Sequence, residues 1–353
     1  MKADLSLLGA PLLSWFEEKK RDLPWRRTKD PYSIWVSEIM LQQTRVEAVK
    51  GYYRRFLEEL PDVESLAMCP QDRLMKLWEG LGYYNRVRNM QKAARLIMEN
   101  GGKFPDTYEG ILRLPGIGTY TAGAVGSIAF GLKEPAVDGN VLRVLSRVTD
   151  DPSDIALPST KKGTEESMRQ QLAGSGLDPG KTNQALMELG AIVCLPNGVP
   201  CCDACPWQEY CLSLKNGTIP ERPVKTKKTK RKVQKKTVLV ISDGEKVLLF
   251  KRPEKGLLAG LYEFPNLEGW QKEEDALSYV KSLGQDALFI RPLEDSAHIF
   301  SHVEWKMKGY YIRVAGLDEG MEIAADLDGL EKSYAIPSAF RVYTQFAKLK
   351  IRD

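Results

Sequence analysis

Five of the six cysteines in this 353-residue chain fall between positions 194 and 211, and only Cys69 lies elsewhere. A disulfide framework would spread its cysteines along the chain, and a cytoplasmic protein would keep them reduced. The crowding fits a metal or cluster site better. Four ligands can be chosen as Cys194, Cys202, Cys205 and Cys211, with seven, two and five residues between them. Closely spaced thiolates of this kind converge on one cubane iron–sulfur cluster, or tetrahedrally on zinc. Spacing alone does not separate the two metals. The adjacent Cys201 offers a second choice, with six residues between it and Cys194 and three between it and Cys205. A site closed by four protein ligands keeps no open position, so its expected role is to hold structure or to position a nucleic-acid partner rather than redox catalysis.

A chain of this length supports two domains, each with its own core. With 43% hydrophobic and 28% charged residues, neither disorder nor a fibrous repeat is suggested. No apolar run approaches the roughly 20 residues that cross a bilayer. The stretch Leu5 to Trp15 is broken by Ser and Gly and runs into Glu17-Glu18-Lys19-Lys20, without a cleavage-like site. It reads as a helix rather than a signal peptide, and the chain as cytoplasmic.

Residues 1–215 read as almost entirely helical. Apolar residues recur at three- and four-residue steps, as in Leu74, Leu77, Trp78 and Leu81, or Ala185, Leu186, Leu189 and Ile192. Residues 216–236 read as a basic linker, with Pro220, Pro223 and a run of lysines and arginines from Lys225 to Lys236. Such a run serves equally as a solvated tether or as a contact for an anionic polymer. A net charge of +4 permits a nucleic-acid partner without arguing for one. From residue 237 to 353 the pattern changes. Thr237–Ile241 and Val247–Phe250 flank an Asp243-Gly244 turn, which predicts a hairpin. Trp305–Val314 reads as a further strand. A helix is expected near Ser338, burying Phe340, Tyr343 and Phe346. The second domain is therefore mixed α and β.

Three further features carry chemistry. Leu114-Pro115-Gly116-Ile117-Gly118 precedes the small-residue helix Ala122–Ala129. Gly116 and Gly118 permit a tight turn and a close backbone approach. The N–H groups at the helix start then suit a phosphate, without reading sequence. A plain helix corner is the competing reading. Glu38 falls in a helix expected to begin near Ser33. At about 100° per residue it lies between Ile34 and Trp35, beside Leu41. An acid among apolar neighbours is hard to ionise, which suits a general acid at neutral pH. Asp138 stands where an apolar helix begins, and Asp is a favoured N-cap. A capping carboxylate can also face a developing positive charge.

The residues stand in a recognisable order: Leu23-Pro24-Trp25-Arg26, Ser37-Glu38 to Thr44, Gly80-Leu81-Gly82-Tyr83-Tyr84, Leu114–Gly118, Val137-Asp138-Gly139-Asn140 and the cysteine group. Together with Gly256–Pro265 and His298–His302, they resemble MutY-type adenine DNA glycosylases of the endonuclease III superfamily, over nearly the whole chain. The resemblance implies a multidomain protein. An all-α helix-hairpin-helix glycosylase domain with an iron–sulfur cluster loop at 194–211 would precede an α+β Nudix-like domain at 237–353.

It also implies removal of adenine opposite 8-oxoguanine or G in double-stranded DNA, by a monomer with no membrane partner and a [4Fe-4S] cofactor. Glu38 matches the acid that protonates adenine N7. Asp138 matches the carboxylate that stabilises the oxocarbenium-like sugar, or bonds to it transiently, and Asn140 helps organise the site. This division of labour follows glycoside cleavage. Tyr120 occupies the position where endonuclease III carries its Schiff-base lysine, so strand cleavage is not expected; Tyr120 should instead hydrogen-bond near Asp138. Trp25 and Arg26 would line the adenine pocket. Gln43 and Tyr83 would wedge into the duplex, offsetting the cost of flipping the base. Phe300, Ser301 and His302 match the loop that reads the oxidised guanine. The Nudix-like part lacks the Arg-Glu-x-x-Glu-Glu magnesium core, so pyrophosphatase activity is not expected.

The family's cysteine spacing is six, two and five, against seven, two and five here. Cys202 preserves the last two intervals. The alternatives are an endonuclease III-like glycosylase/lyase, a silent lesion-binding protein and a Nudix hydrolase fused to a DNA-binding module. Tyr120, the intact pair Glu38 and Asp138, and the missing magnesium carboxylates count against them in turn.

Overall fold

A computed structural model describes residues 4–226, 231–317 and 323–352. By contacts the chain divides into two compact units, Met1–Met68 with Arg88–Lys227, and Cys69–Val87 with Lys228–Asp353. The expected division is residues 1–215, a basic linker at 216–236 and residues 237–353; the contact units are cut differently. A segment from within the helical portion belongs to the second unit.

The first unit is helical. Its core gathers Leu12, Phe16, Val141, Val144, Leu186, Leu189 and Trp207, and the Trp207 indole donates to the Leu8 carbonyl at 2.8 Å. Helix Pro31–Leu41 starts two residues before its expected position, because the Asp30 side chain accepts from Ser33 N and Pro31 takes the first turn. Helix Pro179–Ile192 starts the same way, from Asp178. Helix Thr119–Phe130 is built of small residues buried from Thr121 to Ser127. Small side chains let it pack closely on both of the others.

The second unit is α+β. Its strands are β1 (Lys232–Ser242), β2 (Val247–Lys251), β3 (Tyr262–Glu263), β4 (Asn266–Glu268), β5 (Ala287–Ile299), β6 (Val303–Val314) and β7 (Ile323–Ala325). The main path runs β3-β2-β1-β6-β5, with β4 on β1 and β7 on β2. β1 and β6 pair in parallel, and the hairpin β1–β2 is antiparallel. β1 is buried on both faces. Val238 and Val240 join one core with Phe340 and Tyr343, while Leu239 and Ile241 join another with Ala276 and Val280. The turn Ser338–Phe340 with helix Arg341–Arg352, and helix Glu273–Ser282, supply those covering residues.

β1 begins at Lys232, so the last five residues read as linker are strand. The reason is backbone pairing: from Lys232 onward each residue pairs in parallel with β6, whatever the charge of its side chain. Residues 227–230 of the basic run lie outside the described residues.

The segment Cys69–Val87 is fastened to this unit by polar contacts. Lys76 Nζ donates to the carbonyls of Leu330 and Tyr334, both at 3.0 Å. Glu79 Oε1 accepts from Ile336 N at 2.8 Å, and Lys251 reaches Asp72 at 3.0 Å. Among the described residues, no helix is long and apolar enough to cross a membrane.

Candidate active site and DNA-facing elements

A cavity of about 580 Å³ opens in the first unit between helices Pro31–Leu41, Thr119–Phe130 and Pro179–Ile192. Glu38, Tyr120, Asp138, Asn140, Trp25, Arg26 and Gln43 all line it. Its size is that of a small-molecule site.

Glu38 is 6% exposed on its helix. Burial raises its carboxyl to about 7; the Tyr120 hydrogen bond opposes this, the Asp138 charge adds to it, and Arg26 opposes it. The Tyr120 hydroxyl donates to Glu38 Oε2 at 2.6 Å and lies 3.2 Å from Met187 Sδ. This corrects the expectation that Tyr120 bonds near Asp138: the first turn of its helix faces Pro31–Leu41, which brings the hydroxyl to Glu38.

Asp138 caps helix Gly139–Thr149, with Oδ1 accepting from Val141 N at 2.8 Å. Its Oδ2 accepts from the Asn140 side chain at 2.7 Å. Burial raises its pKa, and these two hydrogen bonds pull it back. Asn140 is held in turn by Arg143, whose Nη2 donates to Asn140 Oδ1 at 2.8 Å. Gly190 lets helix Pro179–Ile192 come this close, since a Cβ there would lie 2.6 Å from Asn140 Cβ.

Trp25 and Arg26 sit in the single turn Pro24–Arg26. Trp25 is buried edge-on against Tyr53 at 5.4 Å. Arg26 lies over the Phe16 ring and donates to both oxygens of Glu188, at 3.0 and 2.8 Å. Arg21 also grips Glu188, through its backbone N and its guanidinium. Sequence reasoning missed Arg21 and Glu188. The signal was faint: Glu188 lies one turn from Ala185 and Ile192 on its helix, at the edge of the apolar stripe, where a buried acid requires a cation.

Gln43 and Tyr83 have left-handed backbones, with φ of 61° and 46°. Non-glycine residues hold this conformation at a cost of order 1 kcal/mol, and such strain concentrates at functional sites. Both side chains are exposed. Arg86 stacks over Trp78 and Tyr83 at 5.4 and 5.5 Å and donates to the Leu81 and Gly82 carbonyls. The Tyr83 hydroxyl lies 3.0 Å from Ser301 Oγ, within the second unit. Ser301 and His302 are exposed in the β5–β6 turn, while Phe300 is wedged between His298 and Trp305 at 4.6 and 5.0 Å.

Gly118 caps helix Thr119–Phe130 without a side-chain hydrogen bond, which leaves the first N–H groups for another acceptor. Gly116 has φ of 79°, and a Cβ there would lie 2.6 Å from Asn89 Cβ. Gly116→Ala should lower the melting temperature, by roughly 1–3 kcal/mol of stability, and weaken duplex binding in parallel; unchanged values of both would remove the hairpin's dependence on this glycine.

Cys194, Cys202, Cys205 and Cys211 line one small cavity together with Trp207 and Arg147, and Cys201 does not. Cys201 is exposed. Arg147 Nη1 lies 3.3 Å from Cys194 Sγ. Among the described residues, no group of three or more His, Cys, Asp or Glu is placed to hold a single metal ion.

Residues 36–172 match the family model of the HhH-GPD superfamily base excision DNA repair protein, and residues 237–345 match a NUDIX domain. A solved thermostable thymine-DNA glycosylase is 30% identical at a TM-score of 0.52, over 59% of this chain and 94% of its own. An endonuclease III–DNA complex, 22% identical at a TM-score of 0.50 over 60% of this chain and 96% of its own, shares the fold. The class so defined is a DNA glycosylase with a helix-hairpin-helix fold and a Nudix-like C-terminal part. The adenine DNA glycosylase of Homo sapiens is 35% identical over 89% of this chain and 68% of its own length. That of Buchnera aphidicola subsp. Baizongia pistaciae is 34% identical over 83% and 82%. The chain belongs to the adenine DNA glycosylase family.

Proposed function

We propose that the chain hydrolyses the N-glycosidic bond of adenine paired with 8-oxoguanine or G, without strand cleavage. The observation that carries this reading is the buried Glu38, raised to about 7 and hydrogen-bonded to Tyr120 inside a cavity that also holds Asp138. Tyr120 donates to Oε2, which leaves Oε1 to carry a proton near neutral pH. That proton passes to adenine N7. The C1′–N9 bond then breaks with its electron pair going to the base, which leaves as neutral adenine. Asp138 faces the positive charge on the sugar, oriented by Val141 N and Asn140. Water then bonds through its oxygen to C1′ and gives up one proton to the Glu38 carboxylate, which restores the acid. No amine stands at position 120 to form a Schiff base.

Gln43 and Tyr83 act as the wedges, and their strained backbones support that role. Gly116 and Gly118 present N–H groups to a phosphate. Ser301, beside Tyr83 and between Phe300 and His302, reads the modified edge of the opposite guanine. The four thiols around one cavity fit a [4Fe-4S] cluster better than zinc. A single zinc draws four sulfurs to about 2.3 Å of one point, whereas a cubane takes one thiolate at each of four corners. When bound, the cluster would supply a structural fastening for residues 194–211.

The test is single-turnover base release on duplexes holding A opposite 8-oxoguanine, G or C, with borohydride trapping in parallel. Adenine release without a trapped adduct is expected. Tight duplex binding with no release would sink the reading. Cys202→Ser should also cost the purified protein its visible absorbance while Cys201→Ser keeps it; the reverse would exchange the two ligands.

A further inference from the structure

Glu188 is 1% exposed, yet it carries no part of the reaction proposed above. Its surroundings are unusual. Both oxygens accept from two guanidinium forks, and Oε1 accepts additionally from the Arg21 backbone N. Burial opposes its ionisation, but the hydrogen bonds from Arg21 and Arg26 override this and lower its carboxyl to about 2. Three charged groups thus share one wall of the cavity, with a sum of +1 from two arginines and one carboxylate.

The geometry points to Glu188 as a positioning residue of the glycosylase site, one that holds Arg21 and Arg26 together and so limits how much of the Arg26 charge reaches Glu38 in the same cavity. It rests on the general-acid reading of Glu38. Four groups face Glu38 or its wall: Tyr120 from helix Thr119–Phe130, Asp138 from the start of Gly139–Thr149, Arg26 from the turn Pro24–Arg26, and the Arg21–Glu188 pair hydrogen-bonded to Arg26 through Glu188. Tyr120 and Arg26 favour the carboxylate, and Asp138 opposes it. Arg26 is the cation that Glu188 holds, so the charge on Glu188 sets how much of Arg26 reaches Glu38.

The prediction is an ordering by charge. Wild type leaves +1 on the wall, Glu188→Gln leaves +2, Arg21→Gln leaves 0, and the double variant returns to +1. A general acid works protonated, so the single-turnover rate falls as pH rises through its pKa, and wild type should show this alkaline limb near pH 7. In Glu188→Gln the limb should move down by about one pH unit, with activity partly restored at lower pH. In Arg21→Gln it should move up. The double variant should lie near wild type. Damage to the fold lowers the rate at every pH and cannot move the limb in opposite directions. If wild type has a limb and the two single variants leave it in place or shift it the same way, the role of Glu188 is overturned alone. If wild type has no alkaline limb, the general-acid reading falls and this inference with it. Should Glu188→Gln fail to fold, the direction of the Arg21→Gln shift decides.

Discussion

Glu38→Gln should abolish adenine release, by about 10²–10⁴-fold in single-turnover rate, while duplex binding is retained. The amide oxygen still accepts from Tyr120, so the site keeps its shape and loses only the proton. The same change should stabilise the protein at alkaline pH. Glu38 has its folded-state pKa raised from 4.5 to about 7. In the unfolded chain it ionises freely above 4.5, so the folded state loses stability as pH rises from there to about 7, and the full penalty stands above that. A shift of this size corresponds to roughly 3 kcal/mol, which the neutral glutamine does not incur. Thermal unfolding at pH 8 should place the variant above wild type, and at pH 4 close to it. A variant that turns over normally would take Glu38 out of its role. One that is inactive but no more stable at pH 8 would deny the raised pKa.

Asp138→Asn should cost about a thousandfold in rate, the scale of losing a preorganised electrostatic partner of the transition state. Asparagine is as good an N-cap as aspartate, so helix Gly139–Thr149 keeps its start. The charge is lost, and an amide donor now meets the Asn140 side chain where an acceptor stood. The expected stability loss is modest, about 1–2 kcal/mol. Asp138→Ala, which also removes the cap, should be less stable again by about 1 kcal/mol. Single-turnover rates and unfolding curves on the same preparations separate the two contributions. A near-normal rate in Asp138→Asn would leave only the cap.

Much of the site was legible because it rests on local rules. The position of Glu38 follows from helical periodicity, and that of Asp138 from cap chemistry. The small-residue run after Gly118 predicts a helix that others can approach closely. What escaped depended on contacts far apart in sequence. Tyr120 and Glu38 are 82 residues apart, and Arg21 and Glu188 are 167 apart. Periodicity places a side chain on a face without saying which face of another helix it meets. The strained φ angles of Gln43 and Tyr83 were equally invisible, because neither residue type announces a left-handed backbone. The linker was misjudged at its end for a related reason: a lysine-rich strand start such as Lys232–Lys236 looks like a solvated run until the partner strand is known.

The membership of Cys69–Val87 in the second unit bears on how the protein is made and cut. This segment emerges during synthesis long before Leu330, Tyr334 and Ile336, the residues whose backbone groups engage Lys76 and Glu79. Until the segment after β7 exists, those side chains have no carbonyl or N–H to meet. A fragment ending at Lys227 would carry the segment permanently in that state. Subcloning by linear domain boundaries thus divides one folding unit, and an isolated Nudix-like fragment beginning at residue 228 would lack a piece of its own fold.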